Sequence, residues 1–306
     1  MAIVLGSHQY GKAESRLVRI YRDQARHEIR DLNVSTSLRG SFAEAHLYGD
    51  QSQVLPTDTQ KNTAYAFAKS AGIRSIEGFG LTLARHFVDH TAPAAGARVE
   101  VEEYAWRRAV VNGAEHDHTW IRAGEEVRTA AVTVEGKGEE QIAHVVGGFK
   151  DLVLLKSTGS EFRDFLTDEY TTLAATSDRV LATSLVARWR FSSTEPDWEA
   201  VIWDDVYSSV KQIIVTQFAT LQSLALQQTL WHMGKAVLQE HPEIAEIQFT
   251  APNKHHFVVD LAPFGLDNPG EVFVAADRPY GLIQATVTRD DASDAGGAWA
   301  PGAGLA

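Results

Sequence analysis

The chain has 306 residues, 44% hydrophobic and 22% charged, the composition of a soluble globular protein of one large or two ordinary domains. Its 28 Lys and Arg against 40 Asp and Glu leave a net charge of −12, which argues against a nucleic-acid backbone as partner, and no apolar run of about 18 residues marks a membrane span. Zero cysteines exclude disulfides, thiolate nucleophiles and Cys-ligated metals and fit a reducing cytoplasm.

The first residues, Met-Ala-Ile-Val-Leu-Gly-Ser-His, lack a basic region followed by an apolar core, so no secretory signal is expected. Leu17 to Arg22 and Leu32-Val34-Thr36-Leu38 alternate like an antiparallel pair. A helix is expected from Thr59 to Ala71, stopping at Gly72 with Asp58 as its cap. Ile76, Phe79, Leu83 and Phe87 then fall on one helical face behind Ser75, a second candidate cap. Strand-like runs at Val99 to Trp106 and Val127 to Val134 end this half, and Gly136-Lys137-Gly138-Glu139-Glu140 reads as a break.

The second half repeats the order. Ile142 to Val146, Val153 to Lys156 and Leu185 to Phe191 read as strands. A helix headed by Asp204 carries Val206, Val210, Ile213, Ile214 and Phe218. Its neighbour, beginning near Ser223, carries Leu226, Leu230, Met233 and Val237 and ends before Pro242. Strands are expected at Ile244 to Thr250, Phe257 to Leu261, Val272 to Ala275 and Leu282 to Arg289. Strand pair, helices, strand pair, twice over, predicts a duplicated α+β module with antiparallel sheets, divided at 1–137 and 138–290. The Gly- and Ala-rich residues 291–306 read as a flexible tail.

Several groups in this frame can do chemistry. Pro252-Asn253-Lys254-His255-His256-Phe257 sets two imidazoles, an amide and an ammonium between two expected strands, where desolvation is costly unless they have partners. Thr57-Asp58 stands at a helix start, suited to an anionic ligand or to plain capping. Tyr10-Gly11-Lys12 precedes the first strand, and its Lys reads first as solvated surface. Phe162 lies in a Gly/Ser-punctuated loop, and Arg179 can clamp a planar anion or pair with Asp178. Gln227-Gln228 falls in a helix's first turn. His116-Asp117-His118 could share a metal on one strand face, but no further ligand is nominated.

These segments together resemble urate oxidase (uricase). The carriers are Tyr10-Gly11-Lys12-Ala13, Thr57-Asp58-Thr59-Gln60-Lys61-Asn62-Thr63, and Leu155-Lys156-Ser157-Thr158-Gly159-Ser160-Glu161-Phe162. They continue with Asp178-Arg179-Val180-Leu181-Ala182-Thr183, Leu226-Gln227-Gln228-Thr229, the Pro252 to Phe257 segment and Asp277-Arg278-Pro279-Tyr280-Gly281. They occur in the family's order over nearly the whole chain. Pro56, Leu226 and His256 depart from the family's commoner residues, and none removes a group the chemistry needs.

The resemblance implies two tandem tunnelling-fold (T-fold) modules with helices on one face, oligomerising into a barrel. It implies a homotetramer with active sites shared between subunits, and urate and O2 as substrates. The implied reaction is urate + O2 + H2O to 5-hydroxyisourate + H2O2, with no cofactor and no metal. By motif match, Lys12, Thr57 and His255 form the catalytic proton relay. Arg179 and Gln227 grip opposite edges of the purine, Phe162 stacks on it, and Asn253 holds O2 or water over the other face. Backbone N–H groups near Asp58 and Leu226 complete the in-plane recognition. Two rivals remain: a metal-dependent purine or pteridine hydrolase on the same scaffold using His116, His118 and His144, and a non-catalytic purine-binding tetramer. The Gly-Leu-Ala end is unlike a Ser-Lys-Leu peroxisomal signal, so a bacterial cytoplasm is expected.

Overall fold

The computed structural model describes residues 1–192, 198 and 200–301. Its frame is one eight-stranded antiparallel sheet in sequence order. The first half comprises β1 (Tyr10–Tyr21), β2 (Glu28–Gly40), α1 (Ala43–Tyr48), α2 (Thr57–Ser70), α3 (Ile76–His90), β3 (Ala94–Val111) and β4 (Ala114–Glu135). A turn at Gly138–Glu140 leads to β5 (Ile142–Lys156), β6 (Leu181–Phe191), α4 (Trp203–Thr220), α5 (Leu226–Glu240), β7 (Ile244–Val258) and β8 (Phe273–Thr288). The expected order of strand pair, helices, strand pair is present twice, and the two halves share a single sheet through the β4–β5 ladder. No helix among the described residues is long and apolar enough to cross a membrane.

The core lies between the helices and one sheet face. Leu32, Val34 and Leu38 of β2, Val99 and Val101 of β3, Leu181 and Leu185 of β6 and Ile247 and Phe249 of β7 all point into it, as period-two alternation requires. Ile76, Phe79, Leu83 and Phe87 of α3 and Leu230, Met233 and Val237 of α5 cover them. Ser75 caps α3 as expected, its hydroxyl accepting the Gly78 N–H at 3.1 Å.

Several boundaries differ from the sequence reading, mostly for one reason. The Pro252 to Phe257 segment is not a connection between strands but the continuing second half of β7. The runs expected at Val272 to Ala275 and Leu282 to Arg289 likewise fall, but for their outermost residues Val272 and Arg289, in one strand, β8, and the two runs from Ile142 to Lys156 in one strand, β5. The apolar rhythm stops where the helix layer stops, whereas backbone pairing continues past it because a ladder needs only N–H and C=O groups. The long β3–β4 hairpin extends beyond its apolar runs in the same way.

Two helix starts also move. Residue Asp58 is not the cap of α2, which begins at Thr57 behind Pro56; its carboxylate instead accepts from Lys61 at 2.5 Å and Asn62 at 2.9 Å. Helix α5 begins at Leu226 rather than near Ser223. Within the expected tail, Gly296–Trp299 forms a short turn with Ala298 buried. It docks on the face away from the helices, where Arg98 donates to the Ala298 carbonyl and Trp299 to Glu246. Residues 302–306 lie outside the described residues.

Candidate active site

On the β1 side, Lys12 sits inside the first strand, opposite Thr36 of β2. A Cβ at Gly11 would lie 1.7 Å from the Thr36 carbonyl oxygen, so only glycine lets β1 approach β2 here. Just beyond, the register slips between Lys12 and Ser15, with Glu14 at φ 56°, a bulge that re-aims the side chains around it. The Thr36 hydroxyl accepts the Lys12 N–H at 3.4 Å and donates to Gln60 of α2 at 2.7 Å. The Leu55 N–H donates to the Tyr10 hydroxyl at 2.9 Å. These contacts stitch the start of α2 to β1, so half-buried Thr57 and exposed Asp58 sit beside Lys12. The Lys61 ammonium, with a smaller contribution from Lys12, holds the Asp58 carboxyl below its usual range.

On the other side, the loop bearing Phe162 is knitted to the chain leading into α5. Phe162 and Thr176 exchange backbone bonds at 2.9 and 2.8 Å, and the Glu161 N–H donates to the Ser223 carbonyl at 2.9 Å. Asp178 is occupied, accepting from Gly159 N–H at 3.1 Å and Thr158 at 2.8 Å. The alternative pairing of Arg179 with Asp178 is therefore not formed. The Arg179 guanidinium lies over the Phe162 ring at 5.0 Å. Its Nε is buried without a partner, and burial alone lowers its pKa, with no carboxylate acting on it. Such a group is held ready for an anion or a carbonyl edge.

Leu226 and Gln227 are the first two residues of α5, where backbone N–H groups have no intrahelical partner. Gln228 accepts the Leu224 N–H at 3.0 Å, while Gln227 is exposed. Asn253 pairs with Thr183 of β6 and with Gly281 of β8. His255 pairs with Ala276, so β8 spends extra residues opposite Lys254 and the ladder is bulged between Asn253 and His255. The His255 ring stacks on Phe257 at 5.7 Å, and His256 turns back to the Lys254 carbonyl at 3.0 Å.

Phe162, Arg179, Leu226, Gln227, Asn253 and His255 thus lie on neighbouring elements at the β6–β8 side of the sheet. Lys12, Thr57 and Asp58 lie at the β1 side. Six strand spacings separate β1 from β7, about 29 Å along the sheet at ~4.8 Å each. One chain does not bring the two sets together. A cavity of about 550 Å³ between α3 and the chain entering α4, lined by Arg74, Arg85 and Trp203 among others, belongs to neither set.

The histidines of the hydrolase reading are not assembled. His116 and His118 meet edge to face at 4.4 Å, but His144 pairs with Thr133, on the order of 50 Å along β4 from His118 at 3.3–3.4 Å per residue. Among the described residues no group of three or more His, Asp or Glu side chains could hold a metal ion.

Sequence reasoning gave no role to Gly11, Thr36, Gln60, Ser160 and Thr183, although all five stand in its motifs and strand patterns. A signal existed for two of them: Thr36 and Thr183 are polar residues on otherwise apolar alternating faces, Leu32-Val34-Thr36-Leu38 and Leu181-Thr183-Leu185. Buried polar groups in such positions call for a partner.

A single antiparallel sheet covered on one face by helices, with the strand–helix–strand order repeated, is an α+β architecture of the T-fold class. The uricase family model matches residues 8–133 and 145–284. The chain is 51% identical to the uricase of Arthrobacter globiformis over 288 residues, 94% of this chain and 91% of that one. The crystal structure of an Arthrobacter globiformis uricase superposes with a TM-score of 0.88 over 96% of this chain and 98% of that one. The uricase of Danio rerio is 35% identical over 92% of this chain and 93% of that one. The chain belongs to the uricase family and is a urate oxidase, an oxidoreductase.

Proposed function

We propose that the chain oxidises urate by O2 and water to 5-hydroxyisourate and H2O2 without a metal or organic cofactor, in sites shared between subunits of a homotetramer. The observation that carries the shared site is the division of the motif residues between β1 and the β6–β8 side, about 29 Å apart along the sheet. Both β1 and β8 are edge strands with unpaired backbone groups, and such edges invite pairing with another copy. Closing the β1 edge of one copy on the β8 edge of the next would set Lys12, Thr57 and Asp58 against Arg179, Gln227, Asn253 and His255.

Urate is electron-rich once deprotonated, so it reduces O2 itself if the protein removes and holds its protons. Lys12 and Thr57 accept a proton, and His255 extends the relay. Arg179 clamps one edge of the purine and Gln227 reads the other. Phe162 stacks on the ring, and Asn253 holds O2 or the attacking water over the opposite face. N–H groups at Asp58 and Leu226 bind in the ring plane. The unpartnered Arg179 guanidinium over Phe162 supports this assignment. The repeated element order supports modules at 1–137 and 138–290. A bacterial cytoplasm is in keeping with the cysteine-free composition.

Ultraviolet absorbance of urate and O2 uptake, recorded together after prolonged chelation, test the reading. Urate and O2 should disappear one for one at an undiminished rate. Loss of activity in chelator with recovery on adding zinc would favour the hydrolase, and urate binding without turnover the non-catalytic tetramer.

A further inference from the structure

We propose that Thr183 is a positioning residue for the reaction, its hydroxyl holding the Asn253 amide from behind, directly or through one buried water. The inference rests on the reading that Asn253 holds O2 or water over the purine.

Leu181, Thr183, Leu185, Ala187 and Trp189 of β6 form one helix-facing series, and all are buried. Thr183 is the polar member, at 1% exposure. Valine would fill nearly the same shape and continue the apolar stripe. The hydroxyl nevertheless has no hydrogen-bond partner, a state that costs stability unless something else supplies one.

Register says what can supply it. Thr183 lies directly across the β6–β7 ladder from Asn253, and the pairing runs on without a slip to Val186 and Thr250. Directly opposed residues of an antiparallel pair point to the same face, with Cβ atoms about 4.5–5.5 Å apart. Asn253 is also where the β7–β8 register breaks, so the hydroxyl on the unbroken β6 side is its steadier neighbour. An amide has two chemically different ends. A hydroxyl donating to Asn253 Oδ1 leaves the NH2 group turned toward the reacting face.

Ser160 Oγ and Arg179 Nε are two further buried polar atoms without partners; the Arg179 N–H donates to the Ser160 carbonyl at 2.8 Å, and Arg179 stands just before β6 begins at Leu181. Unsatisfied buried polar atoms mark places completed by ligand or ordered water.

The test compares Thr183→Val, Thr183→Ser, Asn253→Ala and the double variant Thr183→Val/Asn253→Ala, in the assembled enzyme with urate and O2 varied separately. Thr183→Val should lower kcat about tenfold, the scale of one lost hydrogen bond, while KM for urate and the affinity for non-reacting xanthine stay within about twofold. Thr183→Ser should restore the rate. Asn253→Ala should lose more, and adding Thr183→Val to it should cost nothing further, as two members of one unit do not add. Near-normal kcat in Thr183→Val beside an impaired Asn253→Ala overturns the proposal, as does full additivity in the double variant. A near-normal Asn253→Ala overturns the Asn253 reading instead. If Thr183→Val does not assemble, Thr183→Ala takes its place in the same cycle, with the same outcomes.

Discussion

Arg179 shows how a single side chain is made available. Burial in a loop with no carboxylate acting on it depresses its pKa, and the neighbour in sequence, Asp178, is occupied by Thr158 and the Gly159 N–H. The guanidinium lies over the Phe162 ring, and its planar fork offers a bidentate contact that an ammonium cannot reproduce. We expect Arg179→Lys to raise KM for urate and weaken xanthine binding about tenfold, the loss of one bidentate contact, with a smaller change in kcat. Equal affinities in the two proteins would remove Arg179 from the purine edge. The residue itself was legible in the Asp178-Arg179 motif. Its freedom was not, because adjacency to Asp178 in sequence does not say whether that carboxylate pairs with it or is taken up elsewhere.

Among elements, the helices are tied to the sheet by a partly buried ion network that no local pattern announces. Arg128 of β4 donates to Glu77 of α3 at 2.9 and 3.1 Å and to Asp204 of α4 at 2.6 Å. Arg30 of β2 joins Asp204 at 3.1 Å and Glu103 of β3 at 2.7 Å. Burial pushes the Glu77 carboxyl up from its ordinary 4.5 to about 6, with Arg128 opposing the rise. The folded protein therefore holds a proton there that the unfolded chain has already released. Its contribution to stability is fully present below pH 4.5 and is lost as pH rises through about 6. We expect Glu77→Gln to flatten that part of the profile, read as the difference in denaturant midpoint between pH 4.5 and 6.5. An unchanged slope in the variant would place the titration elsewhere. The helices' existence and Ser75 as cap were legible, because amphipathic spacing and capping act within one turn. The network was not, since Arg30, Glu77, Glu103, Arg128 and Asp204 meet only after five elements have packed.

For the whole molecule the decisive feature is that the two sets of motif residues lie toward opposite edges of one sheet. Lys12→Met and His255→Ala should each fold and lose about 10²-fold or more in turnover, the scale of a positioned acid or base. Mixing the two inactive proteins by co-refolding tests the sharing of sites directly. In a two-fold pair each mixed dimer has one doubly altered site and one intact site, so activity should return to about a quarter of wild type on random mixing. Failure to recover, with mixed assemblies demonstrated by mass, would mean that each chain carries its own complete site.

The sequence by itself determined the α+β class, the repeated order of strands and helices, the family, and the residues that carry its motifs. These follow from short-range physics: period-two and period-3.6 apolar patterns, caps, and ordered local motifs. It misjudged the length of β5, β7 and β8 because apolar alternation reports cover by helices, while a ladder extends wherever backbone partners remain. Only the tertiary structure decided that Asn253 and His255 stand within a strand, that Thr183 lies opposite Asn253 across the ladder, that Ala298 is buried against the sheet, and that Lys12 and His255 lie toward opposite edges of the sheet. Those facts depend on register and on strand order across the whole sheet, which no local window of residues encodes.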